Sequence, residues 1–145
     1  MKKLKEEMTF GLLDEGDIEK IAPFFELKNY SAGTQIFREG EAGDFIGFVV
    51  SGKIEVKKQT EFKGNQVIIA LLGSGALFGE MSIFEQQRSA TVETVEDSVI
   101  LVLRNSGLDA ITRQYPHIGI KLLKGFIRIL ALRLRKVTER LTTIF

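Results

Sequence analysis

Between residues 45 and 57 the chain reads FIGFVVSGKIEVK, a short apolar run followed by strict alternation. Both halves predict β-strands. In the second, Ile54 and Val56 face one way and Lys53, Glu55 and Lys57 the other, so one face is buried. Ser51-Gly52 is a two-residue turn pair, and the flanking strands are expected to form a hairpin. QVIIALL (66–72) lacks alternation and is expected to be a more deeply buried strand. SATVETVEDSVILVL (89–103) divides into two strands around Glu96-Asp97. Glycines punctuate these runs at 33, 40, 43, 52, 64, 73, 75 and 79. Turn signals this frequent, from about Leu27 to Leu103, predict a sandwich or barrel of short antiparallel strands.

Helical periodicity bounds this region on both sides. Residues 12–25 carry Ile18, Ile21, Ala22 and Phe25 at helical spacing, with Asp14 or Asp17 as the cap and Pro23 at the end or a kink. After the strands, Asn105 or Ser106 can cap a helix bearing Leu108, Ile111 and Thr112 that stops before Pro116. A long helix then runs from about His117 to the end. No linker divides the chain, which reads as one unit: an N-terminal helical segment (1–26), the strands (27–104) and C-terminal helices (105–145).

The long helix has two apolar stripes. Leu123, Ile127, Leu130, Leu134, Val137, Leu141 and Ile144 follow a 4-3 repeat. Ile118, Leu122, Phe126 and Ile129 occupy only its first half. One stripe suffices to pack a helix on its own domain, so the second predicts a homodimer through this helix; the competing reading buries both in one core. Its polar positions hold seven cations against Glu139 alone. These suit solvated flanks and a helix C-terminus, with a footprint for DNA or an anionic membrane as the alternative. Gly119 and Gly125 permit a bend or close packing.

Composition narrows the chemistry. The chain has 145 residues, 44% hydrophobic and 27% charged, with a net charge of +1, which is ordinary for a soluble protein. No run is long and apolar enough to span a bilayer, and MKKLKEEM lacks the apolar core of a signal peptide; a cytoplasmic location is expected. With no cysteine and only His117 as a histidine, thiol catalysis and a multi-histidine metal centre are excluded, and no G-x-S-x-G elbow is present. No metal, cofactor or catalytic residue is expected. GSGALFG (73–79) has the wrong glycine spacing for a dinucleotide fingerprint and no βαβ unit around it.

FGEMSIFEQQRSATV (78–92) is the stretch with most chemical content. Glu80 and Arg88 could form a structural ion pair, or Glu80 could act as a general acid or base, though no partner carboxylate stands near. A third reading makes the stretch a cradle for an anionic ligand bearing hydroxyls. Arginine's planar fork suits phosphate oxygens, an ionised glutamate accepts from sugar hydroxyls, and Gly79 lets the backbone approach closely. Ser89 and Ala90 are small enough for their amides to reach a phosphate.

This stretch resembles the phosphate-binding cassette of the cyclic nucleotide-binding domain family, F-G-E-aliphatic-small-L, a short loop, then R-[STA]-A-[ST]-V. YSAGTQIFREGEAGDFIGFVVSGKIEV (30–56) is similar to the family's opening strands and LALRLRKV (130–137) to its C-terminal helix. The resemblance implies a mainly β fold with flanking helices: an eight-stranded antiparallel, jelly-roll-like β-roll with an N-terminal helix and a long C-terminal helix. It implies that Glu80 accepts from the ribose 2′-hydroxyl, Gly79 offers its amide, and Arg88 pairs with the cyclic phosphate, helped by Ser89 and Ala90. Phe78 and Met81 complete the cassette. The base is expected under the long helix, with Arg128, Leu130, Arg133 and Leu134 as candidates. The family commonly has nine or more steps from glutamate to arginine; here there are eight, through Glu85-Gln86-Gln87. Gly47 stands where an aromatic residue is usual. The expected function is a non-catalytic, homodimeric sensor of cAMP or cGMP whose C-terminal helix moves with the ligand. The alternative is a degenerate member that binds no nucleotide and serves as a dimerisation or docking module. An unidentified partner protein is a further candidate. No helix-turn-helix follows the long helix, so no DNA-binding domain is expected in this chain.

Overall fold

The computed structural model describes residues 12–62 and 64–144. Residues 1–11, within the expected N-terminal helical segment, lie outside the described residues, as do Lys63, Phe145 and the side chains of Thr143 and Ile144. The described residues form eight strands: β1 (Phe25–Tyr30), β2 (Gln35–Phe37), β3 (Phe45–Ser51), β4 (Ile54–Gln59), β5 (Gln66–Leu72), β6 (Leu77–Phe78), β7 (Thr91–Thr94) and β8 (Ser98–Arg104). Helix α1 (Glu15–Ile21) precedes them; α2 (Asn105–Gln114) and α3 (Pro116–Ile144) follow. The strands make two four-stranded sheets, ordered β1-β8-β3-β6 and β2-β7-β4-β5, with every pairing antiparallel. This is the expected β-roll with an N-terminal helix and a long C-terminal one.

Strand alternation builds two cores on the two faces of the first sheet. Ile46 and Phe48 of β3 and Leu103 of β8 face the helices, where Ile118, Leu122, Phe126 and Ile129 of α3 meet them. Val49 of β3 and Ile100 and Val102 of β8 point the other way, into the roll, against Phe37, Ile54, Phe78 and Val92. The shorter stripe of α3 therefore packs on its own domain. Gly119 lets this packing be tight, because a Cβ there would lie 3.0 Å from Thr112 of α2.

Four local expectations are corrected. β3 and β4 are not a hairpin: they belong to different sheets, and the Ser51-Gly52 turn is a corner between them. Gly52 has a φ of 98° and lies so close to Ser98 that a Cβ would sit 2.2 Å from its Oγ. The true hairpin is β4–β5. Secondly, β5 is not buried. It is the outer strand of its sheet, with β4 as its one neighbour, and Val67, Ile68, Ile69 and Leu71 are all exposed. Thirdly, neither Asn105 nor Ser106 caps α2. The cap position is Arg104, without a side-chain bond, because the Asn105 side chain is turned to Ser82, where its amide donates to the carbonyl. Finally, the N-terminal helix is shorter than 12–25: a capping box joins Asp14 and Asp17, α1 ends at Ile21, Pro23 lies in a 3-10 turn, and Phe25 opens β1.

Candidate ligand-binding site

The cassette leaves the roll at the end of β6. Gly79, at φ 74°, turns the chain into a 3-10 turn over Glu80–Ile83. A side chain at Gly79 would meet Arg88 Nη1 at 2.9 Å and the Phe45 carbonyl at 3.2 Å, so glycine is required by both conformation and space. The following loop is stitched to the segment between β2 and β3. The Gly43 amide donates to the Gln86 carbonyl, the Arg88 amide to Glu41, and the Gly40 amide to Arg88. The three-residue loop thus fixes the Arg88 backbone by main-chain bonds.

Arg88 is 4% exposed, an unusual position for an arginine. Its guanidinium lies 3.9 Å from the centre of the Phe37 ring and 4.4 Å from that of Phe45. Nη1 donates to the Phe45 carbonyl at 2.9 Å and to that of Gly79 at 3.2 Å. Nε and Nη2 are buried and have no acceptor among the described residues. Burial pushes the guanidinium pKa below its ordinary value, against the opposing pull of Asp44 and Glu41. Two unsatisfied donors on a desolvated cation carry a penalty that an anion in the adjoining cavity would relieve.

Glu80 and Arg88 are not partners. The Glu80 carboxylate faces α3 instead, 3.6 Å from Arg133 Nη1, and Arg133 also donates to the Leu77 carbonyl. Between the cassette, the β4–β5 side of the roll and α3 lies a cavity of about 780 Å³. Its walls include all of Phe78, Gly79, Glu80, Met81, Arg88, Ser89 and Ala90. Of the four base-cap candidates, Arg133 alone lines it. Leu130 packs against the core under α3; Arg128 and Leu134 are exposed and lie outside the cavity wall. Of the longer stripe, Leu123 and Leu130 pack inward, while Ile127, Leu134, Val137 and Leu141 are exposed.

Several lining residues escaped the sequence reading: Lys58 and Ile69 from the roll, and Ile129, Leu132, Lys136 and Arg140 from α3. A signal existed for the helix, since Ile129, Arg133, Lys136 and Arg140 fall at helical spacing on one face. The lining side chains include five cations, Lys58, Arg88, Arg133, Lys136 and Arg140, against one carboxylate, Glu80. Such a site suits an anion that also presents a hydrogen-bond donor to Glu80.

Comparison with known proteins agrees with this geometry. The model of the family described as the cyclic nucleotide-binding domain matches residues 27–115. The cyclic AMP receptor protein of Thermus thermophilus is 35% identical over 127 residues, 87% of this chain and 56% of that protein. Glutaminase 2 of Bradyrhizobium diazoefficiens is 30% identical over 131 residues, covering 90% of this chain but 20% of the glutaminase. The chain therefore spans little more than half the length of one relative and a fifth of the other. Among solved structures, a cyclic nucleotide-binding domain from Methylobacillus flagellatus superposes with a TM-score of 0.85 at 22% identity, over 99% of this chain and 85% of that one. The catabolite activator protein of Thermus thermophilus gives 0.72 at 32% identity, over 95% and 62%.

Proposed function

The chain belongs to the cyclic nucleotide-binding domain family, and from that premise we propose that it is a non-catalytic sensor of a cyclic nucleotide, cAMP or cGMP, working as a cytoplasmic homodimer. The observation that carries the reading is Arg88: a buried guanidinium with two donors unused, on the wall of a cavity that also holds Glu80. A cyclic phosphate supplies acceptors for the two donors, and its ribose hydroxyl supplies a donor for Glu80. Neither residue has the positioned partner that proton transfer or nucleophilic chemistry needs, so the site is read as one that binds rather than reacts. The ribose hydroxyl would share Glu80 with Arg133 or displace it. Because Arg133 lies on α3, ligand occupancy bears directly on that helix, which is the differential contact a two-state sensor requires. Exposed Ile127, Leu134, Val137 and Leu141 support the homodimer, with the same helix of a second copy as the partner.

Calorimetric titration with cAMP and with cGMP tests the reading. Saturable heat from either is expected; no heat from both at millimolar ligand would sink it. One observation favours a second reading, a module that binds no nucleotide. Glu80 already has a cationic partner, and the walled-in Arg88 already donates to two carbonyls. Thermal shift separates the two readings. A bound ligand at 100-fold its Kd adds about 2.7 kcal/mol of stability, whereas the second reading predicts no shift with either nucleotide.

A further inference from the structure

We infer that Lys58, on β4, is a second cation for the ligand's phosphate; this rests on the cyclic-nucleotide reading above. Lys58 lines the same cavity as Arg88 and Ser89. Its Nζ lies 2.8 Å from the Ser89 carbonyl, so its ammonium reaches the end of the cassette that follows Arg88. On the same strand Val56 lines the cavity without a charge, and the cation beside Lys58 behaves differently. Lys57 is held by carboxylates on the same sheet, Glu55 and Glu93, each at 3.0 Å. Lys58 has no carboxylate partner among the described residues. Its acceptor is a neutral carbonyl, which leaves an ammonium with two further N–H donors and an unneutralised charge at the cavity.

Arg88 cannot supply that charge in the same way. Its guanidinium is enclosed by Phe37 and Phe45 and Nη1 is spent on two carbonyls. What it offers a phosphate is a fixed pair of donors, Nε and Nη2. Lys58 is exposed and flexible. Its stem can swing from the Ser89 carbonyl to a phosphate oxygen without breaking a buried contact. The division of labour is then geometric: Arg88 sets the position of the phosphate, and Lys58 adds attraction that salt can screen.

The test is calorimetry with cAMP and cGMP on wild type, Lys58→Met and Lys58→Arg, at low and high ionic strength. At low salt, Lys58→Met is expected to bind about fivefold more weakly, and Lys58→Arg to restore most of the loss. Near 1 M salt, where the screening length is about 3 Å, the gap between wild type and Lys58→Met should close. Equal affinity of wild type and Lys58→Met at low salt overturns the inference and leaves the cyclic-nucleotide reading standing. So does a loss that salt does not reduce, because a lysine serving only to brace the Ser89 carbonyl would act independently of the ligand's charge. Absence of binding by the wild type overturns the cyclic-nucleotide reading itself. Unfolding of each variant without ligand, unchanged from wild type, excludes a folding defect as the source of the loss.

Discussion

The carboxylate of Glu80 lies 3.6 Å from the guanidinium of Arg133 on α3; Arg88, eight residues on in the same cassette, is buried with no carboxylate bound to it among the described residues. One cation closes the cavity from outside, and the other waits within its wall. The outer contact is partly exposed, so its worth is modest, about 0–1 kcal/mol. Arg133→Ala should therefore speed amide exchange in the α3 turns around residue 133 by up to about fivefold, without changing exchange in β3 or β8. Unchanged exchange in those turns would mean that packing alone holds the helix over the cavity.

Arg88 separates binding from stability. Replacing it with methionine removes a desolvated charge and two unsatisfied donors, while orphaning contacts at the Phe45 and Gly79 carbonyls. Phe45 keeps the Ser82 hydroxyl as a second donor. These effects oppose one another, and Arg88→Met is expected to change the unfolding free energy by less than about 1 kcal/mol. Binding of a cyclic nucleotide should fall by about 2–5 kcal/mol, the scale for truncating one side of a buried charged contact. Urea unfolding and calorimetry on the same variant give both numbers. A large loss of stability would make Arg88 a structural residue first.

Much of this site is contiguous in the chain, and that is why it was legible. Gly79, Glu80, Arg88, Ser89 and Ala90 reach one cavity because one turn and one short loop carry them all. Contacts that depend on how separate elements roll against each other were not legible. Spacing alone could not single out Arg133 from Arg128, Leu130 and Leu134. The exposure of β5 was hidden for a related reason: an apolar run states what could be buried, and sheet order decides what is covered. The supposed hairpin failed because a Ser-Gly pair fits a corner between sheets as well as a turn within one.

Gly47 shows how a departure noticed in sequence acquires a cause in structure. It pairs with Phe78 across β3 and β6, and a Cβ at Gly47 would stand 2.2 Å from the Phe78 ring. The space that an aromatic residue on β3 would fill is filled from β6. Phe78 is 2% exposed and packs 6.0 Å from Phe37, so it has little room to retreat. Gly47→Ala should cost about 1–3 kcal/mol by overpacking, measured by urea unfolding. Stability equal to wild type would show that the Phe78 ring shifts freely.

Lys57 gives the fold a dependence on alkaline pH. Hydrogen bonds to Glu93 and then Glu55 hold its ammonium above the ordinary value of 10.5. A raised folded pKa stabilises the protein fully below the unfolded value and loses that contribution as pH rises through the folded one. The stability advantage of wild type over Lys57→Met should hold at about pH 9 and shrink above about pH 10.5. An advantage constant across this range would assign the effect of Lys57 to its aliphatic stem.

The exposed stripe on α3 makes the strongest claim about assembly. Ile127, Leu134 and Leu141 are 65%, 66% and 52% exposed, each seven residues from the next, and Val137 lies between the last two at 45%. Leu134 and Leu141 belong to neither core cluster, so their contribution to the protomer's own fold is small. Against a second α3, each would recover up to about 1–2 kcal/mol of burial, since about a third to a half of its surface is already covered, in the knobs-into-holes spacing of a two-stranded coil. Leu134→Glu with Leu141→Glu places carboxylates in that seam. The double variant is expected to sediment as a monomer where the wild type sediments as a dimer, with far-ultraviolet dichroism showing the roll intact. A wild type that is monomeric at high protein concentration, or a variant that remains dimeric, would rule out α3 as the dimer seam.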